Sequence, residues 1–533
     1  MEVWIVKSNP EEGKIPRTMS TQHPDNANVP AWSNGEIIDG NAEVFEAYFD
    51  YATLGCQEVM WDAEGKDIDT RVVRKLLDKY QDYFREHIIG QDVFLTYRIP
   101  NPRIEIVEKK VAVETLENIP VAYDVASSFY KKETIPIFEV ILPFTTDARE
   151  PLWLFNYYRK TIAADEEVKL DNSTTARDWV GSFNPKEINV IPLVEDFDSI
   201  LSVDKIIIPY IDSVKPKHLR VFIARSDPAL NYGHFCATLL CKIGLSKLKN
   251  LEKTRQVNIH PIIGAGSKPF RGHLSPENIE NFLAEYKGLT TVTIQSAFRY
   301  DYPVEQVKKC VNLLNHMLPN AEPESIAPYD ESILLQILQK CKQRYENAIE
   351  LLAPLVNSIS VYVPQRRARK LHIGLFGYSR NVAGVNLPRA IPFSAALYSL
   401  GIPPEFLGAS FLEDLNEQEW KITEKYYINI KNDLNAVGVF VSWENINLLI
   451  DNSRKIAEIA SMSQEKLEIG LTKVQHDLNV VEERLNIKLG AKTSTSKRHE
   501  NFANNFLIAY NEREETEARK SLVEAAKLRR CLG

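Results

Sequence analysis

The sequence predicts an α/β protein in which a TIM-type (β/α)8 barrel is followed by additional C-terminal helices. Short apolar runs begin near residues 57, 93, 138, 189, 220, 258 and 290. The intervals between these starting positions suit repeating units made of a strand, a helix and the next parallel strand. Several runs also end in charged residues, and α/β proteins place their chemistry at the carboxyl ends of strands. At 533 residues the chain exceeds a bare barrel of about 250 residues.

The predicted strands are rich in β-branched and aromatic residues, which is typical of strands buried on both faces. They are Gln57–Trp61, Val93–Tyr97, Ile137–Leu142, Asn189–Val194, Val221–Ala224, His260–Ile263 and Thr291–Ile294. We expect an eighth strand between Ser358 and Gly377, and helices at residues 42–54 and between Pro323 and Leu355. The main alternative is an open doubly wound sheet, but no glycine-rich nucleotide-binding motif follows any strand.

We divide the chain into an N-terminal extension (1–13), a barrel catalytic domain (14–400) and a helical C-terminal region (401–533) packed on the barrel. In the last region glycine is scarce, and apolar residues between Leu467 and Leu485 recur at helical spacing, which favours a packed helix. The basic run Pro364–Lys370 is interpreted as a solvated face.

Composition limits the classes of partner. The chain has 64 Lys and Arg against 72 Asp and Glu, a formal net charge of -8, and so lacks a global basic surface for nucleic acid. Its six cysteines form no C-x-x-C pair, which argues against a structural zinc site and a disulfide framework. No apolar run is long enough to span a membrane, so we expect a cytoplasmic protein.

Two acids, Glu195 and Asp227, follow the ends of neighbouring predicted strands. Their carboxylates can therefore converge at one edge of the barrel. Two such carboxylates suit Mg²⁺ or Mn²⁺, which prefer hard oxygen ligands. Asp196 and Asp198 lie alongside, and residue chemistry alone does not choose among these acids. Alternatively, each acid pairs with an arginine or caps a helix.

Arginines recur at predicted strand ends or in the loops that follow. They are Arg98, Arg225, Arg271, Arg299, Arg380 and Arg389. Several arginines facing one metal would bind a highly anionic substrate through bidentate contacts to phosphate and carboxylate. Gln295 ends another strand, and Gly264–Ser267 could add backbone N–H donors. Each arginine taken alone is more often a surface ion pair, but the repeated placement favours a shared site.

A series of short motifs makes the chain similar to a known family. The motifs, in order, are TMSTQHPDN (18–26), IPLVED (191–196), ARSDPALNYG (224–233), GAGSKPFRGH (264–273), TIQSAFRYD (293–301) and LPRAIPF (387–393). They resemble the short, archaeal-type phosphoenolpyruvate carboxylases, and the resemblance runs from about Lys14 to Gly533.

The resemblance implies roles that residue chemistry leaves open. His23 lies in a turn-rich segment and would by itself be interpreted as a turn histidine, but it matches the family's catalytic histidine. Glu195 and Asp227 match the metal-binding acids, which selects Glu195 over Asp196. Arg271 and Arg389 match catalytic arginines. Substrate-binding roles are assigned to Arg98, Arg225, Arg299, Arg380 and Gln295.

Two positions depart from the longer members of the family. Leu230 and Ala265 stand where those enzymes have a lysine and an arginine, so two substrate-facing cations are missing here. Arg225, Lys268 or Arg299 could substitute for them.

The resemblance implies carboxylation of phosphoenolpyruvate with bicarbonate, giving oxaloacetate and phosphate with Mg²⁺ or Mn²⁺, through carboxyphosphate and a metal-stabilised pyruvate enolate. It also implies a homotetramer. Two alternatives stay open: another metal-dependent barrel enzyme that makes the same enolate, such as an aldolase or lyase, and a non-catalytic metabolite-binding protein.

Overall fold

The computed structural model describes residues 15–65, 69–107, 109–368, 381–382 and 384–533. Eight parallel strands form a closed barrel in which each strand pairs with its neighbours in sequence order. The strands are β1 Thr18–Ser20, β2 Glu58–Asp62, β3 Phe94–Arg98, β4 Glu139–Leu142, β5 Asn189–Val194, β6 His218–Ala224, β7 Asn258–Gly264 and β8 Thr291–Ile294. The predicted (β/α)8 barrel is confirmed, and its seven predicted strands are β2 to β8. The predicted extension at residues 1–13 lies outside the described residues.

The predicted eighth strand between Ser358 and Gly377 is wrong. The missing strand is β1, whose Thr18 and Ser20 pair with Val292 and Ile294 of β8 and so close the barrel. Ser358 instead continues a long helix, and residues 369–377 lie outside the described ranges. Because β1 has only three residues and one large apolar side chain, its own sequence carries no strand pattern. Closure of the barrel determines its pairing.

Helices connect the strands and cover the outside of the barrel. Up to the end of the barrel they are α1 Gly40–Phe49, α2 Val72–Lys79, α3 Gln81–Glu86, α4 Val111–Tyr130, α5 Arg149–Tyr157, α6 Ala176–Val180, α7 Phe197–Leu201, α8 Val203–Val214, α9 Ser226–Tyr232, α10 His234–Arg255, α11 Ile279–Glu285, α12 Ser296–Tyr300, α13 Val304–Met317 and α14 Pro328–Ser360. None of the helices in the described ranges is long and apolar enough to cross a membrane.

The remainder of the described chain is helical, apart from a hairpin of β9 Asn381–Val382 and β10 Val385–Asn386. Its α-helices are α15 Ala390–Ser399, α16 Glu417–Tyr426, α17 Ile430–Gly438, α18 Trp443–Asp451, α19 Ser453–Ile459, α20 Gln464–Leu485, α21 Ser494–Asn511 and α22 Glu515–Arg529. The apolar stripe between Leu467 and Leu485 is buried in α20, which packs against α14. The predicted C-terminal helices are therefore confirmed.

The inside of the barrel has an apolar layer and a charged layer. Met60, Leu193 and Phe222 belong to the apolar cluster between the strands. At the amino-terminal end of the strands, the buried Arg220 of β6 donates to Glu58 of β2 and Glu139 of β4. These ion pairs link β2, β4 and β6 across the amino-terminal end of the barrel. The carboxyl-terminal end of the barrel is therefore where a pocket can form.

Candidate active site

A cavity of about 300 Å³ lies at the carboxyl-terminal end of the barrel strands. It brings together most of the residues that the sequence predicts for the site. The predicted residues that line it are His23, Arg98, Glu195, Arg225, Asp227, Arg271, Gln295 and Arg389. Arg299 lies behind this lining, and Arg380 lies outside the described residues. The cavity is also lined by apolar side chains of the barrel interior, which include Met60, Leu193 and Phe222.

The two candidate metal ligands enter the cavity from adjacent strands. Glu195 directly follows β5, and Asp227 lies in the first turn of α9 after β6. Glu195 is buried, and its Oε2 accepts a hydrogen bond of 2.8 Å from the Phe144 N–H. Burial raises the pKa of Glu195 well above its usual value; Arg98 opposes the shift, while Asp227 and Glu64 add to it. A cation between these carboxylates would relieve the repulsion.

Asp196 has a different position. Its carboxylate caps the N-terminus of α7, where it accepts a hydrogen bond of 2.9 Å from the Ser199 N–H. The geometry therefore separates the two neighbouring acids: Glu195 faces the cavity and Asp196 stabilises a helix end.

Two carboxylates are too few to form a metal site made of protein ligands alone, but they suit Mg²⁺ or Mn²⁺, which also bind water and substrate oxygens. Among the described residues, no three His, Cys, Asp or Glu side chains form a metal-binding group. Mg²⁺ commonly keeps several waters and is held by one or two carboxylates together with substrate oxygens. Glu195 and Asp227 supply two hard oxygen ligands of that kind in a cavity with room for a substrate.

Two cationic side chains lie next to the carboxylates. Arg98, at the end of β3, forms ion pairs with Glu64 at 2.5 Å and Asp62 at 3.5 Å. Burial works against its charge, but these acids raise the pKa of Arg98 above its usual value, so it stays a cation. Arg389 precedes α15, and burial lowers its pKa. An arginine still remains charged in proteins.

Arg271 is held by groups from four parts of the chain. Its Nη1 donates to Asp25 Oδ2 at 2.9 Å and to the carbonyl of Gly533 at 2.8 Å. Its Nη2 donates to Gln295 Oε1 at 2.6 Å, and its Nε donates to Ser226 Oγ at 3.2 Å. The guanidinium is thereby fixed at the cavity, with Gln295 and Ser226 beside it.

The loop that carries His23 is held by buried charged residues. Thr21 Oγ1 and His23 Nδ1 are 2.8 Å apart. Arg299 donates to the Thr21 carbonyl at 2.7 Å and forms ion pairs with Asp50 and Glu46. Its guanidinium therefore supports the loop from behind the cavity.

The basic run at 364–370 is not a solvated face in its described part, which corrects that prediction. Arg366 and Arg367 are buried and line the cavity. Arg366 donates to the carbonyls of Asn26 and Ala27 in the His23 loop, and Arg367 forms an ion pair with Glu46. Their partners lie more than 300 residues earlier in the sequence, so the run itself does not reveal that it is buried.

Gly533 occupies a position with no room for a side chain. A Cβ at this residue would lie 2.3 Å from the Ile391 carbonyl oxygen and 2.8 Å from the Ala395 nitrogen. We expect Gly533→Ala to displace the carbonyl that Arg271 contacts and to lower kcat/KM by about tenfold. Steady-state kinetics measure the loss.

Gly35→Ala is the matched control for Gly533→Ala, because nothing lies within 4 Å of its Cβ position. Equal kinetics for both variants and the wild type would show that the Gly533 contact contributes nothing to Arg271.

The fold and the cavity together define a (β/α)8-barrel protein whose site combines paired carboxylates with several arginines. The family model described as phosphoenolpyruvate carboxylase matches residues 15–533. The chain belongs to the phosphoenolpyruvate carboxylase family.

Curated relatives agree over almost the whole chain, and each of the following is named phosphoenolpyruvate carboxylase. The protein from Metallosphaera sedula is 45% identical over 97% of this chain and 99% of its own length. The protein from Caldivirga maquilingensis is 44% identical over the same shares of the two chains. The protein from Picrophilus torridus is 43% identical, again over 97% and 99%.

Sequence reasoning assigned no site role to several residues that shape the site. Glu64, Arg366 and Arg367 line the cavity, while Asp25 and Gly533 contact Arg271. Glu64 lies two residues beyond the end of β2. The candidate acids were identified because they follow strand ends, and the same rule applies to Glu64. The others act through contacts between distant parts of the chain, for which the sequence carries no local signal.

Proposed function

We propose that this protein carboxylates phosphoenolpyruvate with bicarbonate and forms oxaloacetate and inorganic phosphate. One observation carries the proposal: Glu195 and Asp227 share a cavity with Arg98, Arg271 and Arg389. This arrangement supports a divalent cation and a substrate that bears both phosphate and carboxylate groups. The family membership and the names of the relatives point to the same reaction.

The cofactor is Mg²⁺ or Mn²⁺, held by Glu195 and Asp227. The ion supplies positive charge next to substrate oxygens, which lowers the cost of negative charge that moves during the reaction. Arg98, Arg271 and Arg389 neutralise the remaining charge of the phosphate and carboxylate, and Gln295 contributes a hydrogen-bonding group. Arg380 keeps its assignment to substrate binding on the resemblance alone.

The reaction begins when an oxygen of bicarbonate attacks phosphorus and the bond to the enol oxygen breaks. This step yields carboxyphosphate and the enolate of pyruvate. His23 then takes the carboxyl proton of carboxyphosphate, whose carbon–oxygen bond breaks to give CO₂ and phosphate. The enolate carbon forms a bond to CO₂, and the proton on His23 passes to phosphate. The balance is one phosphoenolpyruvate and one bicarbonate for one oxaloacetate and one phosphate.

The apolar part of the cavity protects the enolate. Met60, Leu193 and Phe222 are buried in the barrel interior and line the site. A cavity surface of this kind excludes water, which would protonate the enolate carbon and give pyruvate. It also suits CO₂, a small molecule without charge.

The test follows phosphate release and oxaloacetate formation, the latter coupled to malate dehydrogenase, with and without bicarbonate. We expect both products from the wild type only when phosphoenolpyruvate, Mg²⁺ and bicarbonate are all present. We expect His23→Ala to lose oxaloacetate formation by about 10²-fold to 10⁴-fold, the usual contribution of a general acid or base.

Other outcomes would identify the alternatives. Turnover of phosphoenolpyruvate at the same rate with and without bicarbonate would indicate a different enolate-forming enzyme. Binding of phosphoenolpyruvate by folded, metal-loaded protein without phosphate release would indicate a metabolite-binding protein. We also propose a homotetramer in the cytoplasm, and the molar mass from light scattering tests the oligomeric state.

A further inference from the structure

Arg225 directs its charge away from the substrate cavity. It follows β6 and lines the cavity, yet only 1% of the residue is exposed. Nε donates to Tyr286 Oη at 3.0 Å, and Nη1 donates to the Phe270 carbonyl at 3.0 Å. Nη2 contacts Thr238 Oγ1 at 2.7 Å and the Pro269 carbonyl at 3.1 Å. All three guanidinium nitrogens therefore have partners within the protein.

Two of these partners precede Arg271 in a short 3₁₀ turn, Pro269–Arg271. Directly after the turn, Gly272 lies close to the aliphatic part of Arg225, since a Cβ at this position would be 3.0 Å from Arg225 Cγ. A buried guanidinium that binds two consecutive carbonyls fixes the direction in which the next side chain leaves the backbone. That next side chain is Arg271, a cation of the proposed site.

A chain of hydrogen bonds leads from Arg225 to the other side of the same turn. Arg225 Nη2 donates to His234 Nδ1 at 3.0 Å, so His234 Nε2 carries the proton that it donates to Tyr427 Oη at 2.6 Å. Tyr427 Oη donates to Asp433 Oδ2 at 2.7 Å. His273 Nδ1 lies 2.6 Å from Asp433 Oδ1 and donates to it. Burial lowers the pKa of His234 well below its usual value, and Arg225 adds to the shift, in keeping with a neutral ring.

His273 stands two residues after Arg271, and its own N–H donates to the Lys268 carbonyl at 3.0 Å. The chain of bonds thus holds the turn at Pro269 and Phe270 on one side and at His273 on the other. Tyr427 and Asp433 belong to the C-terminal helical part of the chain, since Tyr427 follows α16 and Asp433 lies in α17. The helices beyond the barrel are therefore part of the support for the cavity.

We propose that Arg225, His234, Tyr427, Asp433 and His273 form a positioning network that holds the Pro269–Arg271 turn in the orientation in which Arg271 meets the substrate. The inference rests on the proposed function and goes beyond it. Arg225 is a positioning residue in this account, and it does not replace the cations that are absent at Leu230 and Ala265.

The test is a double-mutant cycle between Tyr427→Phe and Arg271→Lys. Tyr427→Phe removes one hydroxyl and breaks the network at its centre. We expect kcat/KM for phosphoenolpyruvate to fall by about tenfold, the lower end of the loss seen when a supporting residue is removed. In the Arg271→Lys background the further loss should be under about twofold, because an ammonium lacks the planar fork whose orientation the network sets.

Tyr426→Phe is the matched control. Tyr426 is the neighbouring residue and also donates to an aspartate, Asp330, but it lies outside the network. It should leave kcat/KM unchanged. If Tyr427→Phe does not fold, Asp433→Asn takes its place, because it removes the charge that accepts both bonds.

Equal losses in the wild-type and Arg271→Lys backgrounds would assign the network a general structural role and overturn the proposal, as would no loss at all. The wild type is assayed first. If it shows no bicarbonate-dependent phosphate release, the proposed function fails, and the same cycle is then measured on the Kd of phosphoenolpyruvate by calorimetry. The proposal is supported if Tyr427→Phe weakens phosphoenolpyruvate binding in the wild type but not in Arg271→Lys. Any other pattern overturns it.

Discussion

Glu195→Gln should lower kcat/KM for phosphoenolpyruvate by about 10³-fold, equivalent to about 4 kcal/mol of transition-state stabilisation. The amide keeps the size of the side chain but cannot ionise, so the variant loses one of the two anionic oxygen ligands proposed for the metal. It leaves one carboxylate where two are proposed to hold the metal. Mn²⁺ binding, followed by electron paramagnetic resonance, should weaken together with activity and gives a measurement that does not depend on turnover.

Asp196→Asn is the control for Glu195→Gln. The two acids are adjacent in sequence, but Asp196 caps α7. Asparagine is as good an N-cap as aspartate, so stability and kinetics should stay close to those of the wild type. If Asp196→Asn weakens Mn²⁺ binding as much as Glu195→Gln does, the assignment of the metal ligand is wrong.

Arg220→Met should destabilise the protein by about 3 to 5 kcal/mol, the range for breaking a buried ion pair by removing one partner. Arg220 donates to Glu58 at 2.6 and 2.8 Å and to Glu139 at 3.1 Å inside the barrel. Burial alone would raise the pKa of Glu139, but Arg220 and His218 bring it below its usual value. Without the guanidinium, the buried carboxylates of Glu58 and Glu139 lose the cation that they share. Urea unfolding under reversible conditions measures the loss.

Arg255→Met provides the comparison for Arg220→Met. Arg255 pairs with Asp212 at 2.9 Å, and both side chains are substantially exposed. Exposed pairs contribute between about 0 and 1 kcal/mol. A similar, small loss for both variants would mean that the charged layer of the barrel is not required for stability.

The order and type of most elements could be predicted from sequence because the barrel strands are buried on both faces. A buried parallel strand is typically an apolar run, and β4, β5 and β6 each contain one, even though β4 and β6 also carry Glu139 and Arg220 at their amino-terminal ends. The first strand could not be predicted in this way. Thr18–Ser20 pairs with β2 on one side and β8 on the other, which closes the barrel. Its strand conformation therefore depends on those two strands and not on its own sequence.

The acids of the site could be predicted for a related reason. A carboxylate at the end of a buried strand is costly unless something there requires it, so this rule points to a group of acids that includes Glu195, Asp196 and Asp227. The family resemblance, and not the rule, selects Glu195 over Asp196. Arg225 satisfies the same rule, but its guanidinium binds backbone carbonyls of the Arg271 turn. The position of a residue after a strand predicts which end of the barrel it occupies. It does not predict the direction of a long side chain, which depends on partners such as His234 and Tyr286.

The contacts that complete the site join the ends of the sequence to its middle. Arg271 meets Asp25 and Gly533, and Arg366 meets the carbonyls of Asn26 and Ala27. Such contacts have no local pattern, since each depends on how separate segments meet over the mouth of the barrel.

The most direct test of the proposed reaction follows the oxygen atoms of bicarbonate. Phosphoenolpyruvate, Mg²⁺ and freshly dissolved ¹⁸O-labelled bicarbonate are mixed with the wild type, and the early products are analysed by mass spectrometry. The proposed reaction places one bicarbonate oxygen in phosphate and two in the new carboxylate of oxaloacetate. Phosphate without bicarbonate oxygen, formed together with pyruvate, would contradict the account, because the oxygen would then have come from water.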